Sequence, residues 1–582
     1  MSDATRPSLL SEPLRDRARA WAADDPDPVT RAALEALLTD AEGGSAAAAA
    51  EITDAFRGPL EFGTAGLRGR MGPGEHRMNL AVVSRAARGL ADHLLGLLGG
   101  AGTDTAPLVV IGYDARHNSQ AFAERSAAIM TAAGCRVALL DRHGPTPLVA
   151  FAVRHLGADA GVVVTASHNP PADNGYKVYL GGRAAEETGR GVQIVPPSDA
   201  QISAAIAAVG PVRQIPVASE GWELLGEDLR EDYLTAISAI LDPAAPRQVR
   251  IVHTAMHGVG HEIATTALAR AGFSDVHPVA KQADPDPDFP TVDFPNPEEP
   301  GAIDLALELA RTVEADVVVA NDPDADRCAA AVLDPHLGAW RMLRGDELGV
   351  LLGSAVLERT RAGGVAQSVV SSRWLSRIAQ AQGRPATTTL TGFKWIARTP
   401  GIVVGYEEAI GYCVLPEVVR DKDGLSTVLL VAELAARARA AGRTLIDDLD
   451  DLARRHGLFA TDQLSIRVED LSLIGRMMQQ LRTTPPSTLA GAEVTALTDL
   501  SRGSVETTGL PPTDGVMLMT AQDDRVIVRP SGTEPKLKCY LEVVEHVAPE
   551  ASMEDLTAHR ERAAERLQRL TEDMRRALTL PD

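Results

Sequence analysis

The stretch ADVVVANDPDADR, residues 315–327, places a run of apolar, mostly β-branched residues directly before three aspartates at alternate positions. A run of this composition predicts a buried strand, and the polar residues after it predict the loop that leaves the strand. Four other stretches repeat the pattern: LVVIGYDAR at 108–116, GVVVTASHNP at 161–170, GIVVGYEEAIGY at 401–412 and RVIVRPSGTEPK at 525–536. We therefore expect the chemistry of the protein in loops at the carboxyl ends of strands.

Helical stretches at 119–133, 303–312 and 427–441 lie between these strands, and the alternation predicts α/β domains. The first 57 residues show apolar residues at helical spacing, and the chain from about residue 456 loses the alternation of strand and helix. We predict an N-terminal helical extension over 1–57, α/β domains over 58–230, 231–335 and 336–455, and an α+β domain over 456–582.

The composition is that of a globular protein, with 45% hydrophobic and 23% charged residues in a chain of 582. No apolar run approaches the roughly 18 residues that cross a bilayer, and the formal charge of −22 disfavours nucleic acid and acidic membranes as partners. The N-terminus lacks a basic start followed by an apolar stretch, so we expect a cytoplasmic protein. Four widely spaced cysteines indicate reduced, buried thiols.

The three aspartates of the opening stretch suit a metal. In a turning loop the side chains of Asp322, Asp324 and Asp326 can converge on one hard cation, and Mg²⁺ is the occupant we favour. A calcium site of the EF-hand type is excluded because it needs glycine at its sixth position, where this chain has Arg327. A solvated acidic turn is the alternative, but aspartates behind a buried strand repel each other unless a cation lies between them.

A candidate nucleophile follows the strand that begins at residue 161. Ser167 stands after this strand with His168 and Asn169 beside it, and we expect its hydroxyl to be exposed at the mouth of a cleft. A serine in such a place is more often a helix cap or a turn residue than a nucleophile. A serine hydroxyl needs a base or a metal to activate it, and Lys177 and the aspartate loop would supply both.

The loop at 529–536 has the composition of a phosphate site. It joins two cationic side chains to two hydroxyls and a flexible glycine, namely Arg529, Lys536, Ser531, Thr533 and Gly532. Arginine can engage phosphate oxygens in pairs while glycine lets backbone amides approach, so this loop forms a basic spot in an acidic protein. A plain surface turn is the alternative.

Three further stretches carry weaker signals. GYEEAIGY at 405–412 presents two adjacent carboxylates that suit sugar hydroxyls, although such pairs are usually solvated. FGTAGLRGRMGPG at 62–74 adds Arg68 and Arg70, and a tight turn is its alternative. Histidines recur at 253, 257 and 261, but two glycines interrupt any helix that would align them, so we expect packing or capping rather than a zinc site.

Taken in order, TASHNPPADNGYK, NDPDADR, GYEEAIGY and RPSGTEPK closely resemble the α-D-phosphohexomutase superfamily. GTAGLRG, RHNSQAF, TGFKWIA and RDKDG are similar to its branch of longer phosphoglucomutases, which also includes phosphomannomutases and phosphopentomutases. The resemblance covers nearly the whole chain. It implies an α/β fold with four domains around a central cleft, three of them related α/β domains with mixed sheets and the last similar to the TATA-box-binding-protein fold.

The resemblance also implies an activity, that of a phosphosugar mutase. Its serine is phosphorylated at rest, gives the phosphoryl group to the substrate and regains one from a bisphosphorylated sugar, with Mg²⁺ as cofactor and a sugar 1,6-bisphosphate as activator. The matching catalytic positions are Ser167, Lys177, Arg68 and His168, with Lys177 as general base and acid and Arg68 as the stabiliser of developing charge. The matching metal ligands are Asp322, Asp324, Asp326 and the phosphorylated Ser167, and the matching substrate-binding positions are Arg327, Glu407, Lys394, Arg529, Ser531, Gly532, Thr533 and Lys536.

The sugar is less clearly implied. Glucose and mannose phosphates are expected substrates, a phosphopentomutase acting on ribose or deoxyribose phosphate is the alternative, and a metal-dependent phosphatase or a non-catalytic sugar-phosphate sensor is more remote. Ala409 stands where the superfamily usually has serine and Tyr412 where it often has histidine, so we expect changed contacts to the sugar edges. A phosphosugar is the expected partner of a monomer or homodimer.

Overall fold

The computed structural model describes residues 9–63, 66–101, 104–468, 470, 472–531 and 536–580. Within these residues the strands form four sheets. The chain begins with α1 (Glu12–Asp24), α2 (Pro28–Glu42) and α3 (Ala46–Ala55). Trp21, Leu34 and Ile52 of these helices share a buried apolar cluster with Leu90 and Val162 of the following domain, so the N-terminal extension packs on that domain.

The first sheet belongs to a domain built from β1 (Leu67–Arg70), α4 (Leu80–Leu98), β2 (Leu108–Tyr113), α5 (Ser119–Ala133), β3 (Arg136–Leu140), α6 (Thr146–His155), β4 (Ala160–Val164), β5 (Asp173–Leu180), β6 (Val192–Gln193), α7 (Ser198–Ala207), β7 (Glu223–Leu225) and α8 (Glu227–Ile237). Its strands run in the order β1-β5-β4-β2-β3-β7, with β6 beside β5. The pairs among β4, β2, β3 and β7 are parallel and the β5 pairs are antiparallel, so the sheet is mixed.

The second domain contains β8 (Ile251–Thr254), α9 (His261–Arg270), β9 (Val276–Pro278), α10 (Asp304–Val313), β10 (Val317–Asn321), β11 (Cys328–Asp334) and β12 (Ala339–Met342). Its sheet has the order β12-β11-β10-β8-β9, parallel on the β9 side of β10 and antiparallel on the β12 side. The proline-rich stretch 284–301, all of it described, contains no helix or strand, as its prolines predict.

The third domain contains α11 (Gly345–Arg359), β13 (Gly364–Ser368), α12 (Trp374–Ala381), β14 (Ala386–Thr389), α13 (Phe393–Ile396), β15 (Ile402–Glu407), β16 (Gly411–Cys413), α14 (Gly424–Ala440) and α15 (Leu445–His456). Its sheet has the order β14-β13-β15-β16, and only the β15–β16 pair in it is antiparallel.

The fourth domain contains β17 (Leu458–Arg467), α16 (Ser472–Thr483), β18 (Thr488–Leu489), β19 (Ala492–Asp499), α17 (Val505–Thr508), β20 (Val516–Thr520), β21 (Arg525–Pro530), β22 (Lys536–Glu545) and α18 (Met553–Ala577). Its sheet is antiparallel in the order β17-β22-β21-β20-β19-β18, and α18 packs on β17 and β22.

The five predicted strands are present as β2, β4, β10, β15 and β21, and each ends where its loop was expected. Three mixed sheets with helices and one antiparallel sheet under α18 confirm the predicted fold class. We propose the predicted boundaries, after residues 57, 230, 335 and 455, for the N-terminal extension and these four domains, with α8 as the helix that crosses from the first domain to the second. The loops that follow β4 and β10 meet between the first two domains, which places the candidate site there.

Candidate active site

The aspartate loop turns sharply between β10 and β11. Ala325 has a left-handed φ of 53°, and its amide donates to the carbonyl of Asp322. The turn brings ligand atoms of Asp322, Asp324 and Asp326 within 4.8 Å of one another, with all three residues buried. Among the described residues, Oδ1 of Asp324 and Oδ1 of Asp326 are buried without a hydrogen-bond partner. Buried carboxylates with two unpartnered oxygens fit a divalent cation.

Two lysines neutralise part of this negative charge. Lys177 Nζ lies 2.7 Å from Asp324 Oδ2 and 2.8 Å from Asp326 Oδ2, and Lys422 Nζ lies 3.2 Å from the same Asp326 oxygen. Burial by itself lowers the pKa of Lys177, but the two carboxylates outweigh it and raise that pKa. Burial and the neighbouring carboxylates raise the pKa of Asp322. Lys177 is therefore an ammonium ion in this arrangement.

The serine loop, residues 165–172 between β4 and β5 of the first domain, contacts the aspartate loop of the second domain. Ser167 has a φ of 54°, and its Oγ lies 3.1 Å from Asp322 Oδ2 and 3.3 Å from His168 Nδ1. Its side chain is not exposed at a mouth, as the sequence had suggested, because the residue is only 1% exposed. That expectation was wrong because the serine loop folds under the aspartate loop of a different domain, which no local pattern indicates.

Arg116 holds the serine loop in this conformation. Its Nη2 donates to the carbonyls of Ser167 and Asn169, each at 2.6 Å, and its Nη1 donates to the carbonyl of Pro170 at 2.9 Å. The guanidinium is buried beside Asp114, 3.3 Å away. A left-handed serine needs this outside support, since non-glycine residues rarely keep that conformation unaided. Arg116 had been assigned no role from the sequence, although it ends the stretch at 108–116.

The proline-rich stretch of the second domain covers the serine loop. The ring of Phe289 lies 5.0 Å from the Arg116 guanidinium, and the ring of Phe294 lies 6.1 Å from that of His168. Burial lowers the pKa of His168 well below its usual value, and the nearby Arg327 and Arg68 lower it further. His168 is therefore neutral beside the serine.

Arg68 and Lys394 lie at the edges of the site. Arg68 Nη1 donates to Asn169 Oδ1 at 3.3 Å, and burial lowers the pKa of Arg68. Lys394 Nζ donates to the carbonyl of Gly63 at 3.4 Å, which joins the third domain to the segment that leads to Arg68. The structure therefore brings Arg68 to the serine loop and places Lys394 across a domain seam.

The candidate sugar loop, residues 405–412, pairs with the aspartate loop through backbone hydrogen bonds. Arg327 and Gly411 form an antiparallel bridge, and the amide of Cys328 donates to the carbonyl of Ile410 at 3.2 Å. Arg327 also donates from Nη1 to the carbonyl of Ala409 at 2.8 Å, and its Nη2 lies 3.9 Å from Glu407 Oε1. This pairing puts Glu407 beside the residue that follows the three aspartates.

The other polar side chains of the sugar loop bond within the third domain. Glu408 Oε2 accepts hydrogen bonds from Ser368 and Ser371, each at 3.0 Å. Tyr412 is 1% exposed, and its hydroxyl donates to the carbonyl of Gly345 at 3.0 Å. The loop's hairpin therefore turns the Tyr412 ring into the core, and the expected change of sugar contacts stays a prediction.

The described residues of the candidate phosphate loop, 529–531 and 536, lie on the fourth domain, and Arg529 contacts the third domain. Nη1 of Arg529 donates to Oγ1 of Thr391, three residues before Lys394, and the amide of Ser531 donates to the carbonyl of Lys536 at 2.9 Å. Gly532 and Thr533 lie outside the described residues. Arg529 and Lys536 thus lie at the facing ends of β21 and β22, and Arg529 contacts the domain that carries Glu407.

Besides Arg116, two further residues of the site had not been assigned a role from the sequence. Lys422, in the RDKDG stretch, lies over the Phe393 ring at 5.7 Å as well as beside Asp326. Thr146 donates from Oγ1 to Asp324 Oδ2 at 2.6 Å. The RDKDG motif could have identified Lys422, whereas Thr146 begins α6 with no local signal of its contact.

Four domain models of known proteins match this chain. The α/β/α domains I, II and III of phosphoglucomutase/phosphomannomutase match residues 59–209, 231–335 and 344–455, and the C-terminal domain of that family matches 513–559. The chain belongs to the phosphoglucomutase/phosphomannomutase family. The predicted superfamily is confirmed, and so is the enzyme class, an isomerase that acts as an intramolecular phosphotransferase.

Individual relatives agree with the family and differ in their sugars. A probable phosphomannomutase of Haemophilus influenzae is 43% identical over 470 residues, 80% of this chain and 93% of the relative. A probable phosphoribomutase of Schizosaccharomyces pombe is 34% identical, over 91% of this chain and 93% of the relative. A crystal structure of a phosphoglucomutase/phosphomannomutase family protein from Burkholderia thailandensis shares the fold, with a TM-score of 0.64, 21% identity and coverage of 89% and 96%.

The phosphoglucomutase/phosphomannomutase family is metal-dependent, and the aspartate cluster of this member can bind a metal ion. Each helix among the described residues is too short or too polar to span a bilayer.

Proposed function

We propose that the enzyme interconverts the 1-phosphates and 6-phosphates of glucose and/or mannose through a phosphoserine at Ser167 and a bisphosphorylated sugar. The main support is the 3.1 Å contact between Ser167 Oγ and Asp322 Oδ2, which joins the nucleophile to the buried carboxylates. Asp322, Asp324, Asp326 and an oxygen of the phosphoserine would hold Mg²⁺, which when bound supplies positive charge for phosphoryl transfer. A sugar 1,6-bisphosphate would serve as activator by phosphorylating Ser167.

The chain's own residues account for the proton balance of the transfer. The bond from Ser167 Oγ to phosphorus breaks as a bond from the sugar hydroxyl to phosphorus forms. Lys177, an ammonium ion beside Asp324 and Asp326, gives a proton to the departing serine oxygen and takes one from the sugar hydroxyl. Lys177 therefore ends the half-reaction in the form in which it began.

Cationic and neutral residues around the serine would orient the transferring group. Arg68, near Asn169 of the serine loop, and Arg327 would meet the developing negative charge. The buried, neutral His168 would donate or accept one hydrogen bond without adding charge. The proline-rich stretch that covers the loop would keep water away from the phosphoserine, which favours transfer to sugar over hydrolysis.

Substrate binding would depend on two loops and a lysine. Glu407 would accept hydrogen bonds from adjacent sugar hydroxyls, and Lys394 would add positive charge at the seam between the first and third domains. The distal phosphate would bind the loop of Arg529, Ser531, Gly532, Thr533 and Lys536. A bisphosphorylated sugar that turns end for end would use this same loop in both half-reactions.

A phosphopentomutase is the second candidate, and the S. pombe relative favours it because it covers 91% of this chain. Ala409 offers no side-chain hydrogen bond, which weakens discrimination between sugar edges.

We expect glucose 1-phosphate as the best hexose substrate, with mannose 1-phosphate or a pentose phosphate also turned over. A coupled assay of kcat/KM over glucose, mannose, ribose, deoxyribose and glucosamine phosphates, with a bisphosphate activator, tests this. A pentose preferred over both hexoses by more than about a hundredfold, some 2.7 kcal/mol, would make the enzyme a phosphopentomutase.

Glu407→Gln should lower kcat/KM for every sugar phosphate, because an amide is a poorer acceptor than a carboxylate for a pair of hydroxyls. The neighbouring Glu408→Gln is the matched control, since Ser368 and Ser371 hold that carboxylate. We expect the control to leave the order of sugar preference unchanged. Equal kcat/KM for Glu407→Gln and wild type on all five sugars would show that Glu407 does not bind the sugar.

Arg529→Gln should lower kcat/KM at least about tenfold in both reaction directions, because charge-assisted hydrogen bonds are worth roughly 1.5–3 kcal/mol each. Arg562→Gln is the control in the same domain, since that arginine is half exposed and lies 3.4 Å from Glu545. Forward and reverse rates of both variants provide the measurement. A loss confined to one direction would contradict a phosphate site shared by both half-reactions.

A further inference from the structure

The segment HTAMHGVGH, residues 253–261, lies under the aspartate loop, although none of its histidines has a part in the proposed transfer. Its first residue is in β8, where His253 pairs with Val319 of β10. The amide of Val259 donates to the carbonyl of Pro323 at 2.9 Å. A Cβ atom on Gly258 would lie 2.3 Å from Pro323 Cα, so this segment touches the backbone of the aspartate loop directly.

Asn321 connects this segment to both ends of the aspartate loop. Its Nδ2 donates to the carbonyl of Arg327 at 2.7 Å, and its Oδ1 lies 3.0 Å from His253 Nε2. Asn321 and His253 are both fully buried. One side chain therefore spans the base of the loop, from the residue before the first aspartate to the residue after the third.

The partners determine how the amide and the ring are oriented. A carbonyl can only accept, so the amide nitrogen of Asn321 must face Arg327 and its oxygen must face His253. His253 must then donate from Nε2, which fixes the ring as the Nε2–H form. Its Nδ1 is buried with no partner among the residues that the structure describes. Among the described residues, the bond to Asn321 is therefore the hydrogen bond that holds this buried ring.

The aspartate loop needs such support for its shape. Ala325 is a non-glycine residue in a left-handed conformation, which persists only when the surroundings fix it. On the opposite side, a Cβ atom on Gly424 would lie 2.3 Å from the Arg327 carbonyl oxygen and 2.7 Å from Asn321 Nδ2. The start of α14 thus confines the amide between itself and His253.

We infer that His253 and Asn321 are positioning residues that set the spacing of Asp322, Asp324 and Asp326 for metal binding. The inference rests on the proposed metal site. Asn321 ties the two ends of the loop together, and His253 keeps the Asn321 amide from turning over. Residues that orient metal ligands typically change metal affinity by about 10- to 100-fold when they are replaced. Asn321 and His253 would do so through the backbone of the aspartate loop.

Mn²⁺ binding to the full-length protein, followed by electron paramagnetic resonance without substrate, tests the inference. His253→Asn should raise the Kd for Mn²⁺ at least about tenfold, because its shorter amide does not reach Asn321. His253→Gln should stay within about threefold of wild type, because its amide nitrogen takes the place of Nε2. His257→Gln is the matched control, since that buried ring bonds Thr291 at 2.8 Å, outside the aspartate loop.

The outcomes separate the two claims. Wild-type affinity in His253→Asn, or an equal loss in His257→Gln, overturns the positioning role. Wild-type protein that binds no Mn²⁺ overturns the metal assignment as well, and all variants then behave alike. Circular dichroism checks folding, and if His253→Asn does not fold, Asn321→Ser decides by the same tenfold threshold.

Discussion

Ser167→Ala is expected to lower mutase turnover by at least about ten-thousandfold, because phosphoryl storage on that oxygen links the two half-reactions. The structure makes rescue by a neighbouring hydroxyl difficult, since Ser167 Oγ is the hydroxyl that contacts Asp322. Turnover of glucose 1-phosphate with a bisphosphate activator, together with the phosphate content of the purified protein, gives the measurement. The variant should carry no phosphate at residue 167.

Ser126→Ala provides a matched control for this prediction. Ser126 is also a buried serine of the first domain, but its hydroxyl donates to the carbonyl of Phe122 within α5. We expect the Ser126→Ala variant to carry phosphate on Ser167 and to keep the mutase turnover of the wild type. Mutase activity in Ser167→Ala close to that of the control would rule out the phosphoserine mechanism.

Asp324→Asn is expected to cost at least about a hundredfold in kcat/KM, about 2.7 kcal/mol of activation free energy, and to abolish the response to added Mg²⁺. Asp324 accepts hydrogen bonds from Lys177 and Thr146 through Oδ2, while its Oδ1 is the unpartnered oxygen available to a cation. The amide removes a charge from this site without changing its size. Rates over a series of Mg²⁺ concentrations, before and after chelation, measure the effect.

Asp334→Asn separates the loss of a metal ligand from the loss of a buried charge. Asp334 is 2% exposed, follows the same aspartate loop along β11, and pairs with Arg341 at 2.6 Å. We expect lower folding stability in this variant and an unchanged dependence on Mg²⁺. Wild-type activity that survives chelation would show that the metal assignment is wrong.

Local sequence pattern was sufficient to place the strands that carry the site. The β-branched runs before the loops of Asp322 and Ser167 became β10 and β4, because burial of such residues on both faces leaves few alternatives to a strand in a sheet. The helix predicted at 119–133 corresponds to α5, which ends at a glycine with a left-handed φ of 100°. Patterns of this kind depend only on neighbours along the chain.

Contacts between distant parts of the chain could not be predicted from local sequence pattern. Ser167 was expected at the surface, yet it is covered by a loop 155 residues away in sequence. Arg116 and Lys422 acquire their roles from carbonyls and carboxylates of other loops, and no spacing in the sequence links them to those partners. Tyr412 replaces a polar residue in the family pattern, but only the hairpin of β15 and β16 shows that its ring is buried.

The backbone pairing between Arg327 and Gly411 has a consequence for changing the enzyme's substrate. Residues 405–413 share hydrogen bonds with the chain that leaves the aspartates, so a transplanted sugar loop would arrive without its matching partner. An exchange of that loop between family members should preserve activity better when residues 321–328 are exchanged with it. Sugar preference and metal geometry in this protein are then expected to evolve as one unit of inheritance rather than as two independent traits.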